Sequence, residues 1–240
     1  MSLHRRDPKL RLVRWPTADW YQTPVGYRFI KATFGRPVEL LARIHVKGAE
    51  NVPASGGAIL ASNHLTWADP IVLGVALRRP AFYLAKEGVF KNPIASWFME
   101  TMGQIKVERA QGANDPALEK AVALLDQGLL LGIFPEGTRG RPGHVRRGRT
   151  GVARIHARTG APILPVGIAT YDLWPRHVPL PRLGGSTSYV DFGAPLRYDL
   201  KPEDEHDRAK MREVTDDVMA HVKALLDEAL AAQKARAKWS

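Results

Sequence analysis

The apolar positions of this chain fall into short runs cut by turn residues, and the runs alternate between two periods. Arg43 to Lys47 alternates like a half-buried strand and is stopped by Gly48. After Gly56-Gly57 comes Ala58 to Ser62, a short run apolar enough for a strand buried on both faces. Further strands are expected at Ala81 to Ala85, Gln104 to Val107, Leu129 to Phe134, Ile163 to Thr170 and Ser188 to Phe192. Between them lie helical stretches. Ile71 to Leu77 follows Asp69-Pro70, and Ala117 to Gln127 follows Asp115-Pro116. In each case an Asp suited to capping free N–H groups precedes a Pro that fits the first turn. Pro93 to Met102 and Val152 to Thr159 complete the alternation. Met211, Val214, Val218, Val222, Leu225 and Ala229 then recur at three- and four-residue steps, the mark of one long helix with a single packed face. The pattern predicts an α/β fold with a mixed, largely parallel sheet flanked by helices and a long C-terminal helix. A proline within Ile163-Leu164-Pro165-Val166 marks that strand for a sheet edge or a bulge.

Composition narrows the classes. With 240 residues, 45% of them apolar, the chain can bury a sizeable core. The longest apolar runs, Ile71 to Leu77 and Leu129 to Phe134, fall well short of the roughly 18 residues of a spanning helix. Arg5 and Arg6 are not followed by an apolar stretch, so no signal peptide is expected. Cysteine is absent, which excludes disulfides, thiolate metal sites and a thiol nucleophile. The eight His show no ligand spacing, so no metal is expected.

The net charge of +11 calls for a polyanionic partner, and it is unevenly placed. Residues 1–47 carry ten Lys and Arg against three acids, a net of +7. Six of the 19 aromatics (Trp15, Trp20, Tyr21, Tyr27, Phe29 and Phe34) fall in the same region. Rings interleaved with cations suit a membrane interface, and a helical hairpin packed on the core is the alternative. Residues 1–40 are therefore read as an aromatic, basic helical segment at an anionic membrane surface, and 41–240 as the α/β domain. Residues 137–171 hold seven Arg and no acid.

The most informative segment is Asn63-His64-Leu65-Thr66-Trp67-Ala68-Asp69, a strand-to-helix loop where α/β proteins place their sites. His64 and Asp69 lie five residues apart; on a regular helix they would point about 140° apart, but a loop can turn them together. One Asp oxygen would then cap the helix while the other holds the imidazole as a general base. The plainer reading is a helix cap beside a loop histidine. Phe134-Pro135-Glu136-Gly137-Thr138-Arg139 ends an apolar strand in a turn. That turn is either a surface ion pair or a phosphate-binding Arg with a carboxylate that orients it or meets hydroxyls. Gly103 to Arg109 delivers Lys106 and Arg109 from a strand. Gly143 to Thr150 approaches a nucleotide phosphate loop, but Arg149 stands where Lys is needed and no strand leads in directly, which sets an NTPase aside.

In this order the segments resemble the glycerolipid acyltransferase family, most closely its 1-acyl-sn-glycerol-3-phosphate acyltransferases. N-H-x4-D is matched by Asn63, His64 and Asp69; G-x-I-x-V-x-R by Gly103, Ile105, Val107 and Arg109; F-P-E-G-[ST]-R by Phe134 to Arg139; and a final P-V by Pro165 and Val166. Glu108 stands where the family often has Asp, and the N-terminal hydrophobic segment of many members is weak. The resemblance implies acyl transfer from an acyl-CoA or acyl-carrier-protein thioester to the free hydroxyl of 1-acylglycerol-3-phosphate, giving phosphatidate. His64 and Asp69 would be catalytic, with no acyl-enzyme and no cofactor. Asn63, Lys106, Arg109, Glu136, Gly137, Thr138 and Arg139 would serve substrate binding. Arg146, Arg147 and Arg149 would meet donor or headgroup phosphates, or form a solvated basic loop. The expected setting is peripheral, on the cytoplasmic face of a membrane. Another lysophospholipid acceptor, such as lysophosphatidylinositol, is the first alternative. A non-catalytic protein binding anionic membranes or nucleic acid is the second, although no RNA-binding signature is present.

Overall fold

The computed structural model describes residues 33, 43–66, 68–86, 104–107, 116–141, 143–170 and 187–237. The N-terminal segment 1–40 (Thr33 apart), the helix expected at 93–102 and Arg109 lie outside the described residues. Seven strands are described: β1 His45–Lys47, β2 Ala58–Ser62, β3 Ala81–Lys86, β4 Gln104–Val107, β5 Leu130–Ile133, β6 Ile163–Ala169 and β7 Tyr189–Phe192. The helices are α1 Asp69–Ala76, α2 Pro116–Asp126, α3 Gly151–Thr159 and α4 Arg208–Ala237.

The strands form one sheet in the order β1-β7-β6-β2-β5-β3-β4. From β6 to β4 all pairings are parallel, while β7 runs antiparallel to β6 and parallel to β1. The expected mixed, largely parallel sheet is therefore present. Its consequence is positional. Strands β6, β2 and β5 are neighbours with their C-terminal ends at one edge, each about 4.8 Å from the next. The loops that leave them are brought together although they are far apart in sequence.

β2 is buried along its whole length because both faces are covered. Ile59 and Ala61 join a core with Leu124 and Leu125 of α2, Val152 and Ile155 of α3, and Met211, Val218 and Val222 of α4. Ala58 and Leu60 face the other way, onto Val72 and Leu73 of α1 and Leu164 and Val166 of β6. This explains why β2 and β6 read as continuous apolar runs. Helix α4 lies directly on β6: a Cβ at Gly167 would sit 2.4 Å from the main chain of Leu225 and Leu226. The apolar face of α4 is shifted from its expected register at one point. Leu226 is fully buried and Leu225 only half so, because Val218, Val222 and Leu226 keep a strict four-residue step.

Pro165 decides between the two expected devices, because its strand is interior rather than at an edge. The missing N–H is tolerated through the other alternative, a bulge. Ile163 pairs with Leu196 and Val166 with Phe192, so three steps on β6 face four on the partner. Gly193 donates its N–H to the Pro165 carbonyl at 2.9 Å within that slip. Below the sheet, Arg158 of α3 joins Glu119 of α2 and Glu205 of the short helical turn Pro202–His206, with a 2.9 Å contact from Nη2 to Glu205.

Candidate active site

β2 ends at Ser62, and the chain turns through residues 63–68 into α1. Asn63 fixes the start of this turn. Its Nδ2 donates to the Ile168 carbonyl (2.9 Å) and its Oδ1 accepts from the Ile168 N–H (2.8 Å), so the side chain continues the β2–β6 ladder past the last strand residue. Asn63 is fully buried, which gives it a scaffold position rather than an open face for a substrate.

The turn brings His64 onto Asp69, with Nδ1 2.9 Å from Oδ2. The Asp69 side chain is fully buried, while the His64 side chain keeps 19% of its surface exposed. The same Oδ2 accepts the N–H groups of Leu65 (2.6 Å) and Thr66 (2.8 Å), and Oδ1 accepts the hydroxyls of Thr66 (2.9 Å) and Thr170 (2.9 Å). This differs from the expected division between cap and imidazole. Asp69 is itself the first residue of α1, and no side chain caps that helix. Both oxygens look back into the turn, because a carboxylate on the first helical residue can close the preceding loop onto itself. A carboxylate only accepts, so the ring proton belongs on Nδ1 and the lone pair on Nε2. The His64 ring also stacks on Phe134 at the end of β5, with centroids 4.2 Å apart and planes 22° apart. Carboxylate and ring together define both the edge and the face of the imidazole.

Glu136 occupies the turn after β5 and is 5% exposed. Its Oε1 accepts the His64 N–H (2.9 Å) and its Oε2 the Arg146 N–H (3.0 Å), so one carboxylate ties the His64 loop to residues 143–149. Gly140 donates to the His64 carbonyl at 2.6 Å, and Arg149 N–H to the Pro135 carbonyl at 2.8 Å. Gly137 has φ +65°, and a Cβ there would fall 2.6 Å from Nε of Arg149, whose guanidinium lies over the turn. Thr138, Arg139, Arg146, Arg147 and Arg149 are exposed on this rim. Their cations stand beside a carboxylate that is already occupied by main-chain donors.

The structure thus brings His64, Asp69, Glu136 and the 137–149 loop together. Lys106 is on β4, separated from β2 by β5 and β3. Sequence reading overlooked Phe134 as the ring's stacking partner and Thr66 and Thr170 as donors to Asp69. Phe134 was within reach as the last apolar residue before the Glu136 turn. Thr170 carries no local signal, since only the β2–β6 pairing places it there. Among the described residues no group of three or more His, Asp or Glu is arranged to hold a metal ion, and no helix is long and apolar enough to cross a membrane.

Comparison with known proteins bears on this geometry. Residues 43–169 match the Acyltransferase family model. A 1-acyl-sn-glycerol-3-phosphate acyltransferase of Borreliella burgdorferi is 35% identical over 125 residues, covering 52% of this chain and 50% of the relative. That of Bacillus subtilis is 30% identical, covering 58% of this chain and 69% of the relative. The chain spans between about a third and a half of the first curated relatives it matches, at 50%, 35% and 36% of their lengths. The crystal structure of the 1-acyl-sn-glycerophosphate acyltransferase PlsC from Thermotoga maritima superposes with a TM-score of 0.65 at 25% identity, covering 90% of this chain and 83% of that one. The matched segment runs from the start of β1 to the end of β6 and takes in both the His64–Asp69 turn and the Glu136 loop, and on that ground the chain belongs to the Acyltransferase family.

Proposed function

We propose that this protein transfers a fatty acyl group from an acyl thioester, of CoA or an acyl-carrier protein, to the free hydroxyl of 1-acylglycerol-3-phosphate. The observation that carries the reading is the pairing of a part-exposed His64 with a fully buried Asp69 at 2.9 Å. With Nδ1 engaged, Nε2 is the basic nitrogen that remains for a substrate. It takes the proton of the acceptor hydroxyl as that oxygen attacks the thioester carbon. The C–O bond forms, the tetrahedral intermediate collapses with loss of the C–S bond, and the proton passes from His64 to the departing thiolate. Asp69 holds the ring and stabilises its transient positive charge. Direct attack needs no nucleophile on the enzyme, in keeping with a sequence that has no cysteine.

Arg139 and the neighbouring Arg146, Arg147 and Arg149 supply the cations for phosphate recognition. Arg forks match phosphate oxygens, and the one acid beside them, Glu136, is buried and engaged by main-chain N–H groups. The acceptor is drawn from an anionic membrane surface, with the basic, aromatic residues 1–40 as the contact. The test is thiol release from acyl-CoA that depends on added lysophosphatidate. His64→Ala and Asp69→Asn are each expected to lower the rate at least about 1,000-fold, by analogy with other orienting carboxylates and bases. Full activity in His64→Ala would end the proposal.

A further inference from the structure

We infer that Thr170 is a positioning residue for the His64–Asp69 pair, which deepens the function proposed above and rests on it. The inference comes from where the donors to Asp69 originate. Four of the five described hydrogen bonds come from inside the turn itself: His64 Nδ1, the N–H groups of Leu65 and Thr66, and the Thr66 hydroxyl. They fix the carboxylate relative to its own loop. The fifth comes from Thr170, 101 residues away, at the end of β6. Among the described residues it is the one donor that fixes this carboxylate relative to the sheet.

Chemistry makes that bond hard to replace. Asp69 is fully buried and Thr170 is 1% exposed, so solvent is not at hand to take over the Oδ1 lone pair. Without the Thr170 hydroxyl, Thr66 is the one donor to Oδ1 among the described residues, and it moves with the turn. The stack on Phe134 does not compensate. Parallel rings resist tilting but slide and rotate within their plane, and the plane is the one in which Nε2 must point at the acceptor hydroxyl. The in-plane reference is the Nδ1–Oδ2 bond, and Thr170 anchors the carboxylate that makes it. Thr170 also lies one residue beyond the segment that matches the family model.

The experiment compares Thr170→Val, which keeps the shape and loses the hydroxyl, with Thr170→Ser, which keeps the hydroxyl. Thiol release is measured against acyl-CoA and lysophosphatidate separately, with the melting temperature of each variant recorded. Thr170→Val is expected to lower kcat about 10- to 100-fold, the cost of a base displaced by up to about 1 Å. Both KM values should stay within about twofold of wild type, since the hydroxyl is buried and directed at Asp69. Thr170→Ser should restore most of kcat. The NMR resonance of the His64 Nδ1 proton should move in Thr170→Val and return in Thr170→Ser. If Thr170→Val does not fold, Thr170→Ala carries the same kinetic expectation without a methyl against the carboxylate. Wild-type kcat in Thr170→Val or Thr170→Ala overturns the inference. So does an equal loss in the Val and Ser variants, which indicates packing alone, or a loss confined to KM. No acyl transfer by the wild-type protein, by contrast, defeats the functional proposal. Even then, an unmoved Nδ1 proton resonance in Thr170→Val would overturn the positioning claim separately.

Discussion

Glu136→Gln separates two roles for the carboxylate in the strand-end turn. The side chain is buried, and its two oxygens accept the main-chain N–H groups of His64 and Arg146 at 2.9 and 3.0 Å. Glutamine has nearly the same shape but only one acceptor. Whichever way its amide turns, an NH2 group faces one of the two N–H donors, and that donor is left buried without a partner. Losing a hydrogen bond to a charged group costs about 1.5–3 kcal/mol. For a chain of this length each kcal/mol lowers the melting temperature by about 2–4 °C, so a fall of about 3–12 °C is expected. Thermal denaturation followed by circular dichroism reads this directly. Acyl transfer should also lose kcat, because one outcome loosens the main chain of His64 itself. A melting temperature within about 1 °C of wild type, together with a tenfold rise in acceptor KM, would refute this reasoning and place Glu136 at the substrate.

The remaining predictions concern the rim, the helix seat and the ion cluster. Arg139→Ala should raise the KM for lysophosphatidate about 10- to 100-fold and leave the donor KM in place, as expected for one charge-assisted contact to phosphate; equal effects on both substrates would remove Arg139 from the acceptor side. Gly167→Ala places a Cβ 2.4 Å from the main chain of α4, where little can yield, and should destabilise by about 1–3 kcal/mol in urea unfolding. A neutral result would mean that the helix rides further from β6 than described. The Arg158 guanidinium holds the Glu205 carboxyl below its ordinary value of 4.5 against the opposing effect of burial. A lowered carboxylate stabilises the fold above the unfolded value, and that contribution disappears as the pH falls through the folded one. Glu205→Gln should therefore be less stable than wild type at pH 7, with the gap closing as the pH drops below 4.5. A gap constant from pH 7 to about pH 3 would exclude the ion pair as its source.

The fold was legible wherever a residue's neighbours in sequence decide its environment. β2 and β4 have the boundaries their patterns predicted, and α2 is displaced by one residue. The exceptions are contacts with distant partners. Pro165 could mark an edge or a bulge, and the sequence could not choose because the slip opposite it, between Phe192 and Leu196, is a property of another strand. Leu225 and Leu226 are both apolar, and the four-residue step that buries Val218, Val222 and Leu226 is set by which face of α4 meets the sheet. The site divides in the same way. His64 and Asp69 lie on one turn and were paired from spacing, whereas the cap expected of Asp69 failed because its oxygens found nearer donors. Glu136 was singled out, but as a partner for Arg139 or for substrate hydroxyls. Its actual partners are peptide groups, and peptide groups leave no trace in a sequence.

That last feature has a consequence for divergence. A bond to a peptide N–H is indifferent to the side chain that residue carries. The Glu136 clamp grips position 146 through its main chain, so any residue except proline can stand there without releasing His64. The charge at position 146 can therefore change while the His64–Asp69 turn stays held. If that loop reads the headgroup as proposed, a lineage built on this scaffold is free to change the charges that meet the acceptor without disturbing the turn that holds His64.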